Sequence, residues 1–403
     1  MSVLVTPGNL RSALAVTRSL GRRGIPVTIA DERPNNLAGR SRYCQASIRV
    51  PSPATAAAAF VNEIHQIVAR GSHRVIIPTD DVALMLLAKA RPRFEGLVTL
   101  PFPDLEAIQL AHDKSVLMSL AEKEGIPVPK TVLVHDPADL TEAIRRVGFP
   151  AVVKPRLSRI HRGGEWVRGG GPHYVSTVRE LEAACRRIHE TVPLPLVQEY
   201  IPGEGRGVFL LLNHGKVRAA FAHRRIREKP PSGGVSVLSE SVGLDPKLLQ
   251  YSQCLLEALK WHGVAMVEFK RDARNGAHKL LEVNGRFWGS LQLAVDAGVD
   301  FPNLLYRMAV EGDVEPVLSY REGVRLRWWL GDLDSLLLRL RNGGQIPARL
   351  GTVWEFVRPV ANRAGAEVFR WHDPGPALEE LSQYVGHIFR GVVRRVRLGH
   401  RHE

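Results

Sequence analysis

Cysteine is scarce in this chain: its 403 residues include three, Cys44, Cys185 and Cys254, and none belongs to a CxxC pair. Their scatter argues against a disulfide framework and against a cysteine zinc site, and it fits a reducing cytosol. The sequence also lacks an apolar run long enough to span a bilayer, and no apolar stretch typical of a signal peptide follows its first residues. We therefore expect a cytoplasmic protein whose length allows two or three domains.

The chain also lacks the features of a nucleic-acid module, although its formal net charge is +14. Nucleic-acid phosphates favour basic surfaces, but basic and aromatic residues are not interleaved here as they are in such modules. The alternative is an arginine-rich proteome together with a small anionic substrate. We expect no nucleic-acid partner.

Lysine is absent from residues 320–403, which contain 14 arginines and 9 acidic residues. Within this basic segment an amphipathic helix is predicted over 377–397, and its apolar positions share one face: Leu378, Leu381, Val385, Ile388, Val392 and Val396. We favour a terminal helix that packs on its own domain. The alternative is a peripheral membrane contact, in which the basic end from Arg390 to Arg401 lies on anionic lipid.

The first hundred residues alternate between short strands and helices. Strands are predicted at 2–6, 25–30 and 74–78, and helices at 10–21 and 82–90. This alternation predicts an α/β fold with a parallel sheet. The first turn lacks the GxGxxG pattern, so dinucleotide binding is not expected there.

Two acidic residues and an amide stand out in the second half of the chain. Glu268 lies in an apolar run, Glu282 lies in the next one, and an Asn-Gly turn at 275–276 separates them. A hairpin centred on this turn places position 268 opposite 282, while Asn284 shares a face with Glu282. Two carboxylates about 5 Å apart repel by roughly 3 kcal/mol at an effective dielectric of about 20. A hard cation between them removes this cost, and carboxylate and amide oxygens are ligands that Mg²⁺ prefers.

Three further motifs precede this hairpin in the chain: DKS at 113–115, AVVKP at 151–155 and VQEYIPG at 197–203. A helix is predicted over 113–124, with Asp113 as its N-cap. In this order, over residues of about 110 to 312, the set resembles the ATP-grasp superfamily. The E-x-N-x-R run from Glu282 to Arg286 looks closer to biotin carboxylase and carbamoyl phosphate synthetase than to D-alanine–D-alanine ligase. The resemblance implies a Rossmann-like domain at 1–105, a two-lobed ATP-grasp domain at 106–312 and a basic C-terminal extension at 313–403. It also allows for a homodimer.

The resemblance assigns roles to individual residues. Lys114 and Lys154 would bind the phosphates of ATP, and the backbone of Glu199 and Ile201 would receive the adenine. Glu204 would bind the ribose. Glu268, Glu282 and Asn284 would hold Mg²⁺ or Mn²⁺, and Arg286 would clamp the transferring phosphoryl group. A basic, glycine-rich loop at 156–173 would close over the nucleotide.

The basic segment at 223–234 is the substrate-side candidate, because its clustered arginines, Arg224, Arg225 and Arg227, suit a carboxylate. The family resemblance then implies that a carboxylate attacks the ATP γ-phosphate and that an amine displaces phosphate from the resulting acyl-phosphate. Two alternatives stay open. One is bicarbonate activation, as in carboxylases or carbamoyl phosphate synthesis, and the other is an ATP-binding scaffold without ligase activity.

Overall fold

The computed structural model of the chain describes residues 2–71, 73–341, 346–361 and 364–399. The side chains at 137, 346–349, 359–361 and 390–399 lie outside this description. The predicted apolar positions Val392 and Val396 are among them. The described part is a mixed α/β fold built on one parallel and two mainly antiparallel sheets, with a separate two-stranded hairpin.

The N-terminal sheet is parallel, as the alternating pattern predicts, with strand order β3-β2-β1-β4. Its first two strands are buried along their whole length, which is typical of a parallel sheet covered on both faces. Its elements are β1 Ser2–Thr6, α1 Arg11–Gly21, β2 Val27–Asp31, β3 Ala46–Arg49, α2 Ala57–Arg70, β4 His73–Pro78 and α3 Asp81–Lys89.

A small four-stranded sheet with order β5-β10-β6-β9 forms the next layer, and its described pairings are antiparallel. The predicted loop at 156–173 is partly regular, because β7 and β8 pair as a hairpin within it. The elements of this region are α4 Leu105–His112, α5 Lys114–Lys123, β5 Thr131–Leu133, α6 Pro137–Arg146, β6 Ala151–Lys154, β7 Arg159–Arg162, β8 Glu165–Arg168, β9 His173–Val175, α7 Val178–Thr191 and β10 Leu196–Glu199.

The largest sheet has seven strands in the order β15-β14-β11-β12-β13-β16-β17. The strand β12 extends through Lys229, so it contains most of the basic segment at 223–234. The elements are β11 Gly203–Asn213, β12 Lys216–Lys229, β13 Val235–Ser241, α8 Pro246–Ala258, β14 Gly263–Asp272, β15 His278–Asn284, α9 Leu291–Ala297, α10 Phe301–Glu311, β16 Arg325–Arg327, α11 Trp329–Arg341, α12 Ile346–Ala361, β17 Gly365–Ala366 and α13 Gly375–Gly399.

Aspartates determine where several helices begin. The carboxylates of Asp80, Asp113 and Asp245 accept hydrogen bonds from backbone N–H groups in the first turns of α3, α5 and α8. These N–H groups have no partner within the helix, so a side-chain acceptor stabilises the start by about 1 kcal/mol. Asp113 was predicted as the cap of α5, and the structure confirms it. The first turn of α5 then presents Lys114.

The C-terminal segment is joined to the N-terminal helix α1 by a buried ion pair. Arg18 is 2% exposed, and its Nε donates to Asp373 Oδ2 at 2.8 Å. The same guanidinium donates to the carbonyl oxygens of Glu367 and Val368 at 3.1 and 2.7 Å. The strands β16 and β17 continue the largest sheet. This segment is therefore integrated into the fold on both sides.

The C-terminal helix differs from the prediction that its apolar face packs on its own domain. Leu378 is 68% exposed, and Leu381, Val385 and Ile388 are between 41% and 50% exposed. Polar contacts attach the described part of α13 instead. Trp328 Nε1 donates to Glu380, Asn9 and Gln383 exchange amide hydrogen bonds, and Tyr384 Oη donates to Asp334 at 2.6 Å.

The buried pair makes a prediction for stability. Asp373→Ala leaves the Arg18 guanidinium buried without its counter-ion, and breaking such a pair costs about 3–5 kcal/mol. Urea unfolding followed by tryptophan fluorescence measures the loss. The control is Arg40→Ala, which removes the half-exposed partner of the Arg40–Glu379 ion pair and should cost under about 1 kcal/mol. Equal losses in the two variants would show that the buried pair does not anchor the C-terminal segment.

Candidate functional site

A cavity of about 430 Å³ lies between the small sheet and the largest sheet. Most of the residues predicted for the site line it: Lys114, Lys154, Glu199, Ile201, Arg225, Glu268, Glu282, Asn284 and Arg286. They come from α5 and from the strands β6 and β10 or the residues just after β10 on one side, and from β12, β14, β15 and the residues just after β15 on the other. The structure thus collects residues more than 170 positions apart in the sequence around one space.

The β14–β15 hairpin has the register that its turn predicts. Glu268 pairs with Glu282 and Met266 pairs with Asn284, and a register shift follows Glu268. Gly276 adopts φ +74°, in the left-handed region that glycine tolerates, and its N–H donates to Asp272 O at 2.7 Å. The facing of Glu268 and Glu282 depends on the turn together with this shift, because the pairing of Phe269 with Leu280 alone would place Leu281 opposite Glu268.

The two facing carboxylates differ in their electrostatic surroundings. Burial raises the pKa of Glu268 to about 7, and the charge of Glu282 adds to this effect, although Arg225 Nη2 donates to Glu268 Oε2 at 2.5 Å. Burial also acts on Glu282, but the charges of Lys114 and Lys154 and the hydrogen bond from Asn284 Nδ2 bring its pKa below the usual value. Glu282 is thus the charged member of the pair at neutral pH, and Glu268 is held near its midpoint.

Two lysines face this acid pair. Burial, together with the charge of Lys114, lowers the pKa of Lys154 to about 8. Lys114 is 7% exposed and its Nζ donates to Ser158 Oγ at 2.7 Å. Its position in the first turn of α5 is unfavourable for a cation, because the positive end of the helix dipole lies there. Both ammonium groups are therefore placed where an additional anion would stabilise them.

Glu199 and Ile201 line the cavity at the end of β10, but the carboxylate of Glu199 is already engaged. It accepts from Lys279 Nζ at 2.7 Å and from Arg274 Nη2 at 2.6 Å. The N–H of Glu199 donates to Lys130 O at 2.8 Å. The Glu199 side chain therefore fixes the strand end, and only its remaining backbone carbonyl is a candidate for recognition of a base.

The structure does not bring Glu204 to the cavity. Successive residues of a strand point to opposite faces, and on β11 it is Gly205 that lines the cavity. Glu204 instead forms an ion pair with Arg206 on the other face. The predicted contact with a ribose was based on sequence spacing, which does not determine this alternation.

The three arginines of the basic segment point to different places, because of this alternation and of an irregularity in β12. Arg225 lines the cavity, where it also donates to Glu228 Oε1 at 2.9 Å. Arg224 lies on the other face and its Nε donates to Glu240 Oε2 at 2.8 Å. Arg227 follows an irregularity in the β12–β13 pairing and binds Asp332 in α11. Of the three predicted substrate ligands, the structure therefore places one, Arg225, in the cavity wall.

Arg286 extends from just beyond the end of β15 toward the start of α3. Its Nε and Nη2 donate to the two carboxylate oxygens of Asp81 at 3.1 and 3.3 Å, and Nη1 donates to the carbonyl of Phe287. Asp81 is the first residue of α3. The sequence marks it within a turn signal at 79–81, but nothing in the local pattern connects it to Arg286, 205 residues away.

Several cavity residues were not predicted as individual ligands, among them Arg11, His223, Trp288 and Ser290. Arg11 lies at the start of α1, outside the segment of about 110 to 312 that contains the recognisable motifs. Trp288 and Ser290 directly follow the E-x-N-x-R run, which is the one signal that could have indicated them. His223 opens the basic segment, where the arginines dominate the pattern.

The donor set at the acid pair suits a hard cation. Glu268, Glu282 and Asn284 offer carboxylate and amide oxygens in neighbouring register positions, which is the chemistry that Mg²⁺ and Mn²⁺ bind. No cluster of three or more His, Cys, Asp or Glu side chains with the geometry of a metal site occurs among the residues that the structure describes. The set contains two acidic residues, so the remaining ligands of a cation there would come from elsewhere.

The two antiparallel sheets around a cavity, with two lysines facing an acid pair, agree with the ATP-grasp resemblance. The family model described as ATP-grasp in the biosynthetic pathway with Ter operon matches residues 179–331. The chain contains an ATP-grasp domain, which confirms the resemblance drawn from the motifs.

Several relatives and solved structures are similar to the chain. D-aspartate ligase of Enterococcus faecium is 20% identical over 276 residues, which are 66% of each chain. The carbamoyl phosphate synthase large chain of Methanoculleus marisnigri is 34% identical over 113 residues, 27% of this chain and 10% of that protein. The chain thus spans just under two thirds of the first relative and a tenth of the second.

Among solved structures, N5-carboxyaminoimidazole synthetase from Staphylococcus aureus has a TM-score of 0.62 at 16% identity, with 80% of each chain covered. L-amino acid ligase from Bacillus licheniformis has a TM-score of 0.60 at 18% identity, over 79% of this chain and 78% of the other. At these identities the similarity shows the fold, and it agrees with the mixed α/β prediction. None of the described helices has the length and apolar character needed to cross a membrane.

Proposed function

We propose that the protein is an ATP- and Mg²⁺-dependent ligase that activates a carboxylate as an acyl-phosphate and couples it to an amine, releasing ADP and phosphate. The observation that supports this most directly is the cavity in which Lys114 and Lys154 face Glu268, Glu282 and Asn284, with Arg286 beside them. The relatives named as ligases, including a probable alpha-L-glutamate ligase, agree with this reaction class.

In this proposal the protein's residues act by positioning and by balancing charge. Lys154 has its pKa lowered to about 8 in the absence of a ligand, so the phosphates of ATP would favour its charged form. Lys114 would contribute a second positive charge from the first turn of α5. The backbone at Glu199 and Ile201 would receive the adenine, while the β7–β8 hairpin would close over the phosphates and exclude water from the acyl-phosphate.

Glu268, Glu282 and Asn284 would hold Mg²⁺ or Mn²⁺, which neutralises phosphate charge when bound. Arg225 fixes one oxygen of Glu268 and leaves the other available. The Asn284 amide, whose Nδ2 now donates to Glu282, would present its oxygen instead. Arg286, oriented by Asp81, would stabilise the charge that develops on the transferring phosphoryl group or on the attacking carboxylate.

The division of the chain is also part of this proposal. Residues 1–105, with their parallel sheet, would form a Rossmann-like domain, residues 106–312 the ATP-grasp domain and residues 313–403 a basic C-terminal extension. The burial of Arg18 against the C-terminal segment supports treating the first and the last parts as neighbours that fold together. A homodimer, a cytoplasmic location and the absence of a nucleic-acid partner stay predictions.

Two variants test the separate roles of the acid pair and of the lysine. Glu282→Gln should abolish ADP formation but retain ATP binding measured without divalent cation, because it removes a cation ligand and also relieves the carboxylate repulsion. Lys154→Ala should weaken ATP binding by about 1.5–3 kcal/mol, the range for a hydrogen bond to a charged group. Calorimetry measures both affinities, and the exposed Lys216→Ala is the matched control. Full turnover by Glu282→Gln at saturating Mg²⁺ would disprove the cation assignment.

The route through an acyl-phosphate is tested with ¹⁸O in the substrate carboxylate. One labelled oxygen should appear in inorganic phosphate, because the attacking oxygen leaves with the phosphoryl group when the amine displaces it. Arg286→Ala should lower kcat more than it raises KM for ATP, since its contact strengthens in the transition state. Label that stays wholly in the organic product, or formation of AMP and pyrophosphate, would exclude the route. Turnover that requires only bicarbonate would favour carboxylase chemistry.

We also propose that α13 makes a peripheral contact with anionic lipid. The exposed apolar side chains of its described part, Leu378, Leu381, Val385, Ile388 and Phe389, lie just before five arginines in the sequence at 390–401. Leu350 and Trp354 of α12 are also exposed, at 65% and 66%. Apolar side chains followed by basic ones are the composition of a helix that lies at the surface of an anionic bilayer.

Sedimentation with vesicles tests this contact. The full chain should sediment with vesicles that contain phosphatidylserine and stay in solution with pure phosphatidylcholine, because the attraction requires anionic headgroups. The double variant Leu381→Asp/Ile388→Asp should lose sedimentation while keeping its melting temperature, since both side chains are half exposed. A wild-type chain that ignores both vesicle types would rule out the lipid contact.

A further inference from the structure

Part of the cavity wall is built by residues outside the motifs of the ATP-grasp domain. Arg11 comes from the first turn of α1 and His223 from β12, while Trp288, Gly289 and Ser290 come from the segment between β15 and α9. Neither the proposed nucleotide contacts nor the proposed cation site uses any of these residues. Their chemistry indicates what this part of the cavity accepts.

The guanidinium of Arg11 is held on one side and open on the other. Its Nη1 donates to Glu367, and its central carbon lies 4.0 Å above the ring of Trp328. Nη2 lies above Gly289, where an added Cβ would come within 2.8 Å of it. Within the described part of the chain, this nitrogen donates no hydrogen bond. Arg11 therefore has one terminal nitrogen fixed by an acid and a second one available to a ligand.

The other two arginines of the cavity have both terminal nitrogens engaged. Those of Arg225 donate to Glu228 and Glu268, and those of Arg286 donate to Phe287 O and to Asp81. Arg11 is also 10% exposed at its side chain, so the available nitrogen is only partly hydrated. Because Arg11 begins a helix, the helix dipole adds to the preference for an anion beside it.

Two buried polar atoms of residues that line the same cavity have no hydrogen-bond partner among the described residues. They are Nε2 of His223, which is 1% exposed, and Nε1 of Trp288, which is 2% exposed. His223 Nδ1 pairs with Ser290 Oγ at 3.3 Å, and both rings pack on Phe209 with centroids 4.7 and 4.2 Å away. Buried polar atoms in rigid rings are costly unless a ligand or water satisfies them.

We propose that Arg11 binds a carboxylate of the substrate that the reaction does not consume. This inference rests on the proposed ligase function and narrows its substrate to compounds with a retained acid group, namely amino acids or dicarboxylic acids. The retained carboxylate accepts from Arg11 Nη2, with the indole N–H of Trp288 and the Ser290–His223 pair as neighbouring polar groups. The reacting group then lies toward Arg286 and the acid pair.

Glu367 is a positioning residue in this arrangement. It is 4% exposed, its backbone carbonyl accepts from Arg18, and its carboxylate holds Arg11 against Trp328. Glu367 and Trp328 belong to the C-terminal segment, which therefore contributes to the selection of the substrate without touching it. This explains why a segment beyond the ATP-grasp motifs is tied so firmly to α1.

Phosphate release tests the proposal with a panel of amino acids and dicarboxylic acids, each compared with the analogue in which one carboxylate is an amide. Wild type should prefer the acid that retains a free carboxylate. Arg11→Gln should raise KM for that acid about ten- to a hundredfold, remove the preference over the amide and change KM for ATP less than about twofold. Arg11→Lys should recover part of the preference, because it restores the charge.

Glu367→Gln should raise KM for the acid severalfold while leaving KM for ATP unchanged, which a general loss of structure would not do. The control is Arg40→Gln, which breaks an exposed ion pair between the N-terminal region and α13 and should alter neither constant. Turnover with an unchanged KM for the acid in Arg11→Gln would overturn the inference and leave the ligase function intact.

A binding experiment separates the two proposals if no acid supports turnover. Aspartate, glutamate and glutarate, and their amides, are titrated by calorimetry into the protein with ADP and Mg²⁺. Carboxylate binding that Arg11→Gln weakens at least tenfold supports the site even when the proposed reaction fails. Absence of carboxylate binding to wild type, or binding that does not depend on Arg11, would overturn the inference.

Discussion

The pairing of Glu268 with Glu282 across the β14–β15 hairpin is the constraint on which the rest of the site depends. Two buried carboxylates in facing register positions repel each other, and each needs compensation from a different direction. Arg225 from β12 supplies it for Glu268, and Lys114 and Lys154 supply it for Glu282. The cations that stabilise the pair are thereby drawn from both lobes.

This arrangement ties the closure of the cavity to electrostatics. Lys154 lies in the small sheet and Glu282 in the largest one, so their attraction acts between the two lobes. The charges are not fully balanced. Burial lowers the pKa of Lys154 to about 8 and raises the pKa of Glu268 to about 7, so it favours the uncharged form of both groups. A nucleotide with a divalent cation would balance the charges, since phosphates compensate the lysines and the cation compensates the carboxylates.

Local sequence signals predicted the features that depend on neighbouring residues. The Asn-Gly turn gave the facing positions of Glu268 and Glu282, and the Asp113 cap gave the start of α5. Strand alternation beyond a turn was predicted less well. Whether Glu204 or Gly205, and Arg224 or Arg225, faces the cavity depends on the register of long strands and on irregularities in β12 that no local pattern marks.

Contacts between distant segments could not be predicted from the sequence for a different reason. Asp81 meets Arg286, and Arg11 meets Glu367, across separations of 205 and 356 residues. In the sequence alone, none of these residues differs from an ordinary charged residue on the protein surface. The exposed face of α13 shows the reverse error, because its periodicity predicts burial while the described side chains of that face are open to solvent.

The cavity carries a small part of the formal net charge of +14. Its wall contains six cationic side chains, Arg11, Lys114, Lys154, Arg225, Lys270 and Arg286, and four acidic ones, Glu199, Glu228, Glu268 and Glu282. The surplus of two positive charges is enclosed in a space of about 430 Å³, where it acts at lower dielectric than on the surface. A space of this size suits a nucleoside triphosphate beside a second small anion. The positive charge of the cavity wall is thus matched to small anionic ligands.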